Sequence, residues 1–445
     1  MAASLESDLA LSAANEASRM PRIALTLAWW SIVSAMFFIY VAAALALRFG
    51  VANAFVGIVA AIVVFSVIAG VLARYAVRTG LGTFLLSKVI FGRTGAALAT
   101  LILFTTAIYF AVFEGAVLVS AAVKIVPGLS YQAACAIVVL YSTPLIIGSV
   151  QHWLNRFNGI LMPFYVLGLL AAVGLALYKY GYSDRWLDLG PAGAGLDGRW
   201  WDCFVAYLGN AVIFMFSQDY ARFGQRKDET YHAVLNFGYP FYAVAYGVNG
   251  VVGLFLVGAT QLANVTESSV VDAFVAVLGG AATLAFVWVT QTRINTANYY
   301  VATINMQAFF ESISPIRASK VVWAVLVGVV VLALMLATDV LSYVLVALAY
   351  QGAFVSAWVG VALAHVLRVR SGATVAEASP EALARLPAVD VAGMIAWLCG
   401  AASSLALMQT SGFSMTLATP AALVISAVAY ALLRRYGTAG SSTTN

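Results

Sequence analysis

Charge is what this chain has least of. Only 9% of its 445 residues are Asp, Glu, Lys or Arg, against about a quarter in a soluble domain. That scarcity excludes a string of water-soluble domains. Cysteine and histidine are rare too, with three of each. Cys135, Cys203 and Cys399 stand far apart in apolar settings, so no disulfide framework or metal spacing can be drawn from them. His152, His232 and His365 fall near expected helix ends without a second ligand type beside them. No nucleophile elbow, phosphate loop, zinc motif or dinucleotide fingerprint stands in a credible context. A membrane enzyme would need such a cluster near one face, so the chain is read as a non-enzyme. The net charge of +5 does not imply a nucleic-acid partner, because the basic residues sit at helix ends in small groups.

What is abundant is apolar. Hydrophobic residues make up 63% of the chain, and mean hydropathy is +0.95. A membrane-crossing helix needs about 20 apolar residues. Twelve segments qualify and predict an all-α polytopic protein whose direct partner is the lipid bilayer. They are Ile23–Leu47, Val51–Ala73, Ala96–Val123, Tyr131–Val150, Gly159–Leu177, Trp200–Phe216, Ala233–Val257, Val271–Phe310, Val321–Ala337, Leu341–His365, Val391–Met408 and Met415–Leu433. The eighth is too long for one straight crossing, and its excess is expected at the cytoplasmic end. Gly80–Gly95 reads either as an interfacial helix or as a plain loop. The N-terminal stretch Met1–Ser18 lacks the basic start and apolar centre of a cleavable signal.

Basic residues orient the chain. With the N-terminus inside, seventeen of the 23 Lys and Arg residues fall on the cytoplasmic side, five outside, and Arg293 within the membrane. The expected plan is a cytoplasmic tail (1–22), a ten-helix body (23–366), a hydrophilic cytoplasmic loop (367–388), a terminal helix pair (389–435) and a cytoplasmic tail (436–445). The expected location is a plasma membrane of the bacterial inner-membrane kind.

One stretch stands out. Thr290–Phe310 continues an apolar helix yet carries Gln291, Arg293, Asn295, Asn298 and Asn305. Polar groups at membrane depth are costly and face a cavity, a partner or a substrate path. Gln291, Asn295, Asn298 and Asn305 fall close to one stripe at helical spacing, and Arg293 and Tyr300 lie nearly opposite. Lipid would tolerate neither stripe, so this helix should run inside a bundle. Its amides match the donor–acceptor edge of a heterocycle as well as they match a neighbouring helix. In the third span, Glu114 is either a proton-coupling carboxylate or the structural partner of Arg293. Tyr109 and Phe113 beside it are candidate ring-stacking residues. In the sixth span, Gly209–Asn210 marks a candidate helix break. The first span offers only Trp29, Trp30, Ser31 and Ser34 near its centre, a weaker signal for a break.

Three motifs in this order resemble the nucleobase:cation symporter-1 family, the cytosine, purine and hydantoin permeases. They are TGLGTFLLSKVIFGRTGA at Thr79–Ala96, the run Asp219-Tyr220-Ala221-Arg222-Phe223, and Asn295-Thr296-Ala297-Asn298-Tyr299-Tyr300. The resemblance spans roughly residues 20–366. It implies a leucine-transporter-type fold of two inverted five-helix repeats plus two C-terminal helices, with the first and sixth spans broken and the third and eighth facing them. It makes Asn298 the substrate asparagine. Tyr109 and Phe113 match a stacking tryptophan and a glutamine of hydantoin-type members, and Asn210 lies near a second stacking position. Thr292 and Arg293 match the eighth-span part of the family's sodium site. Arginine cannot ligate a cation, so the expected coupling ion is H+ through Glu114, with Na+ as the alternative. The expected activity is cation-coupled import of a nucleobase-like heterocycle. A sodium symporter of allantoin, hydantoin or hydroxymethylpyrimidine-like solutes is the alternative. No cofactor is implied.

Overall fold

A computed structural model describes residues 12–146, 155–260, 267–337, 344–369 and 378–440. The described chain is almost entirely helical, with one isolated bridge between Met20 and Gly224. Expected His152 and the ends of several expected spans and tails lie outside the described residues. Seven continuous helices are long and apolar enough to cross a membrane, and two bent pairs qualify as single spans. Tyr131–Leu145 and Val391–Leu407 are apolar but shorter. The long helix Gly280–Ile313 is not among those that qualify, and it carries the amide and arginine stripes. Among the described residues, length and apolarity alone thus mark up to nine spans of the expected twelve.

The spans begin and end close to where apolarity begins and ends. The second runs Val51–Thr79 and the third Ala96–Ile125. Between them, Thr83–Phe91 forms a short, fully packed helix rather than a loop. The third span and Gly280–Ile313 pack against each other more extensively than any other pair of helices. Residues 289–308 are buried without interruption, so both polar stripes of the eighth span face protein.

The eighth span differs from its expected outline. Part of its expected length is a separate helix, while the remainder, Gly280–Ile313, is still 34 residues long and runs past Phe310 at the end expected to be cytoplasmic. Residues from Val271 onward belong to a separate helix, Glu267–Leu278, on the other side of Gly279. Gly279 has φ +83, a conformation that side chains resist, and the chain turns there. Asp272 pairs with Lys124 at the end of the third span, and Lys179 Nζ donates to Ala276 O at 3.2 Å. The separate helix is thus tied to two span ends.

Both expected breaks are present. The first span is divided into Arg22–Ser34 and Met36–Phe49, bent by 42°. The sixth is divided into Trp200–Leu208 and Val212–Ala221, bent by 46°. The terminal pair, Val391–Leu407 and Ala418–Gly440, packs on the tenth span, Val344–Arg368. Asp390 caps the first of them through Gly393 N at 2.9 Å and holds Arg434 at 2.6 Å.

Candidate functional site

A helix break frees backbone groups that must find partners when buried. In the first span those partners come from its own serines and from the side chains of four other helices. Ser31 Oγ donates to Ala28 O at 2.9 Å, and Ser34 Oγ to Ser31 O at 2.7 Å. Arg293 Nη2, from the eighth span, donates to Trp30 O at 2.8 Å. Asn249 Nδ2, from the helix Asn249–Thr260, donates to Val33 O at 2.7 Å, with the Tyr165 hydroxyl 3.3 Å from the same oxygen. On the far side of the break, the N–H groups of Phe37 and Met36 open a new helix and face the carboxyl of Glu114. A carboxylate there complements the positive end of the helix dipole.

The sixth span breaks differently. Asn210 N donates to Tyr207 O at 2.9 Å and Ala211 N to Leu208 O at 3.0 Å, so tight turns carry the chain through the bend. The small residue also permits close packing, since a methyl added at Gly352 of the tenth span would lie 3.3 Å from Gly209 Cα. Asn210 Nδ2 reaches the Tyr246 hydroxyl at 3.4 Å.

The two breaks meet at one cavity. Its walls include Ala35 and Phe37 of the first span, Asn210 and Ile213 of the sixth, Glu114 of the third and Asn298 of the eighth. Its free volume is about 30 Å3, enough for a water or two and far below the roughly 300 Å3 at which small-molecule pockets begin. In this conformation the cavity is too small to hold such a ligand. A wider cleft of about 460 Å3 opens elsewhere on the surface, between the second and seventh spans and the end of the tenth. Its arginines Arg74 and Arg78 pair with Glu229, and neither helix break borders it.

The expected site residues divide into two groups. Asn298, Asn210 and Glu114 line the cavity. Gln291, Asn295, Tyr109 and Phe113 do not. Asn295 stands behind Asn298, accepting its Nδ2–H at 3.2 Å. Gln291 approaches Glu114, but neither amide atom closes a hydrogen bond of normal geometry. Phe113 packs edge-on against Phe37. On the third span the cavity-facing pair is Phe110 and Glu114, one residue beyond Tyr109 and Phe113. The four-residue spacing of Phe110 and Glu114, and of Ile294 and Asn298, was the available signal for a shared face.

No ion pair joins Glu114 to Arg293, and that structural pairing is corrected here. Each charge is drawn instead to an opposite end of the same break. Arg293 goes to the carbonyl end, with Nη1 also donating to Asn158 O at 3.2 Å, and Glu114 goes to the N–H end. Thr292 turns away to the Tyr141 hydroxyl at 3.0 Å.

Below the cavity, at the end expected to be cytoplasmic, a second network joins three segments. Asp219 Oδ1 accepts from Thr83 N at 2.8 Å, and Oδ2 from Asn305 Nδ2 at 3.0 Å. Thr83 Oγ1 donates to Met215 O at 2.7 Å, and Gln218 Nε2 to Leu81 O at 2.9 Å. Here Asp219 of the Asp-Tyr-Ala-Arg motif and Asn305 tie the sixth span, the short helix and the eighth span together.

Comparison with solved structures places the whole chain in one architecture. Mhp1, a nucleobase-cation-symport-1 family transporter in a closed conformation with bromovinylhydantoin bound, matches with a TM-score of 0.76 at 15% identity, over 96% of this chain and 94% of that one. The fold is leucine-transporter-type. The inward-facing conformation of Mhp1 matches at 0.70, with 15% identity over 96% and 95% of the two chains. A Na+-coupled sialic acid symporter in a substrate-bound outward-open state matches at 0.69, with 11% identity over 94% and 90%. No protein-family model matches the chain, and no curated protein sequence does.

Proposed function

We propose that this protein is a secondary active carrier that imports a small nitrogen heterocycle by alternating access, coupled to protons rather than sodium. The observation that carries this reading is the convergence of both helix breaks with Glu114 and Asn298 on one enclosed cavity. Broken helices at mid-depth are a recurring transporter device, because they turn backbone ends and polar side chains toward a solute. The likeness to transporters in closed, inward-facing and outward-open states supports the same cycle. Asn298 reads the heterocycle edge, Phe110 and its neighbours supply flat walls, and Glu114 carries the proton.

Arg293 is the reason for preferring protons. Its guanidinium already sits on the Trp30 carbonyl at the first-span break, in the region where the resemblance puts a sodium ion. Two unit charges 4 Å apart repel by about 4 kcal/mol at an effective dielectric of 20. A fixed cation therefore stands where a mobile one would bind. The sodium-coupled alternative has no comparable support.

Uptake in proteoliposomes, with pH and sodium gradients imposed separately, tests the reading. An inward proton gradient should drive accumulation, and sodium at constant pH and voltage should not. Sodium-stimulated uptake would overturn the choice of ion. Absence of both uptake and counterflow across a panel of nucleobases and hydantoins would overturn the carrier reading. Asn298→Ala should weaken ligand binding at least about tenfold while leaving a folded protein; unchanged affinity removes that residue from the site.

A further inference from the structure

The cavity's free polar atoms are of one kind. Asn298 Nδ2 is engaged with Asn295 Oδ1 at 3.2 Å, and Asn210 Nδ2 with the Tyr246 hydroxyl at 3.4 Å. The Oδ1 of each accepts no hydrogen bond. Glu114 Oε2 likewise has no partner. Two amides on one small cavity thus present oxygen acceptors, the Glu114 carboxyl presents an oxygen that accepts or, when it holds a proton, donates, and no Lys, Arg or His lines it. The remaining walls include Phe37, Phe38, Phe110 and Phe216, whose faces favour a flat ring and tolerate positive charge. A ligand that offers carbonyls to such a surface leaves oxygens facing oxygens. A ligand that offers N–H groups satisfies both partners, and unpaired buried polar groups are what make such sites selective.

Resting on the reading of this cavity as the heterocycle site, we infer that its substrate class is a basic, amino-substituted heterocycle bearing a ring nitrogen beside an exocyclic amine. The ring nitrogen and Glu114 Oε2 share one proton. Written as a carboxylic acid donating to a neutral ring, or as a carboxylate accepting from a protonated ring, the pair holds the same single proton and no net charge. The exocyclic amine donates to the amide oxygens of Asn298 and Asn210. One proton enters with each heterocycle, and the coupling group is also a substrate ligand. Lactam rings, which turn a carbonyl to the same edge, are disfavoured. Anionic rings are disfavoured more strongly, because Glu114 repels them.

Equilibrium binding to the purified full-length chain, with matched pairs that differ only in that edge, tests this. Cytosine against uracil and adenine against hypoxanthine are the probes. The amino member of each pair should bind at least about tenfold tighter, and Glu114→Gln should compress both ratios to below about threefold while the lactam members still bind. Equal or tighter binding of the lactams to the unmodified chain would overturn the inference and leave the heterocycle reading standing. A ratio unchanged in Glu114→Gln would also overturn it. Binding of none of the four would sink the heterocycle reading itself. Should Glu114→Gln not fold, the ratios of the unmodified chain decide.

Discussion

The two broken spans reach similar bends through tight turns of their own, but only the first also draws side chains from several neighbouring helices onto its backbone. The sixth bends by 46° through turns that satisfy their own backbone, with a small residue packed against Gly352. The first bends by 42° without glycine or proline at its centre, and its freed carbonyls are met by Arg293, Asn249 and the serines Ser31 and Ser34. The sixth break is held mainly from within, the first both from within and by its neighbours. A self-contained bend can travel as a unit, whereas a bend held by neighbours is coupled to each of them. The first break is thus where charge and hydrogen bonds from the third, fifth, seventh and eighth spans are concentrated.

Substitutions that remove one support at a time should rank accordingly. Arg293→Leu should cost most. It leaves two buried carbonyls without a charge-assisted donor, and a loss of about 2–4 kcal/mol is expected as a lower unfolding midpoint in detergent. Arg293→Lys should recover only part of it, because a single ammonium cannot reproduce the fork. Asn249→Leu removes the donor to Val33 O and should cost about 1–3 kcal/mol by the same measurement. Gly352→Ala should cost least, within about 1 kcal/mol, because the added methyl meets Gly209 Cα at 3.3 Å and needs only a small adjustment. A larger effect at Gly352 than at Arg293 would reverse the contrast between the two breaks.

The same contrast explains what could be read from the chain beforehand. Span edges follow apolar runs, and the buried course of the eighth span follows from two polar stripes that lipid would reject. Asn298, Asn210 and Glu114 were visible as polar groups in apolar helices. The sixth-span break was visible because a glycine announces it locally. The first-span break gave a weaker local signal and was expected chiefly from the resemblance, since besides Ser31 and Ser34 its partners are Tyr165, Asn249 and Arg293, far along the chain. Of the two readings of Glu114, the pairing with Arg293 left out the broken backbone between them, which offers each a partner. The third span is apolar on nearly every side, so only the four-residue spacing to Glu114 separated Phe110 from Tyr109. The turn at Gly279 rests on a single residue, and the apolar run passes through it unmarked.

The carboxylate of Asp219 has two oxygens and serves two different stretches of chain with them. One caps the short helix that begins at Thr83, and the other holds Asn305. Drawing the tail of the sixth span away from the eighth strips a donor from the carboxylate; drawing it away from the short helix leaves an amide bare. Withdrawal from both exposes a charge with neither neighbour to steady it. Two contacts between separate stretches of chain thus hang on one side chain, and its loss would loosen the sixth span from both at once.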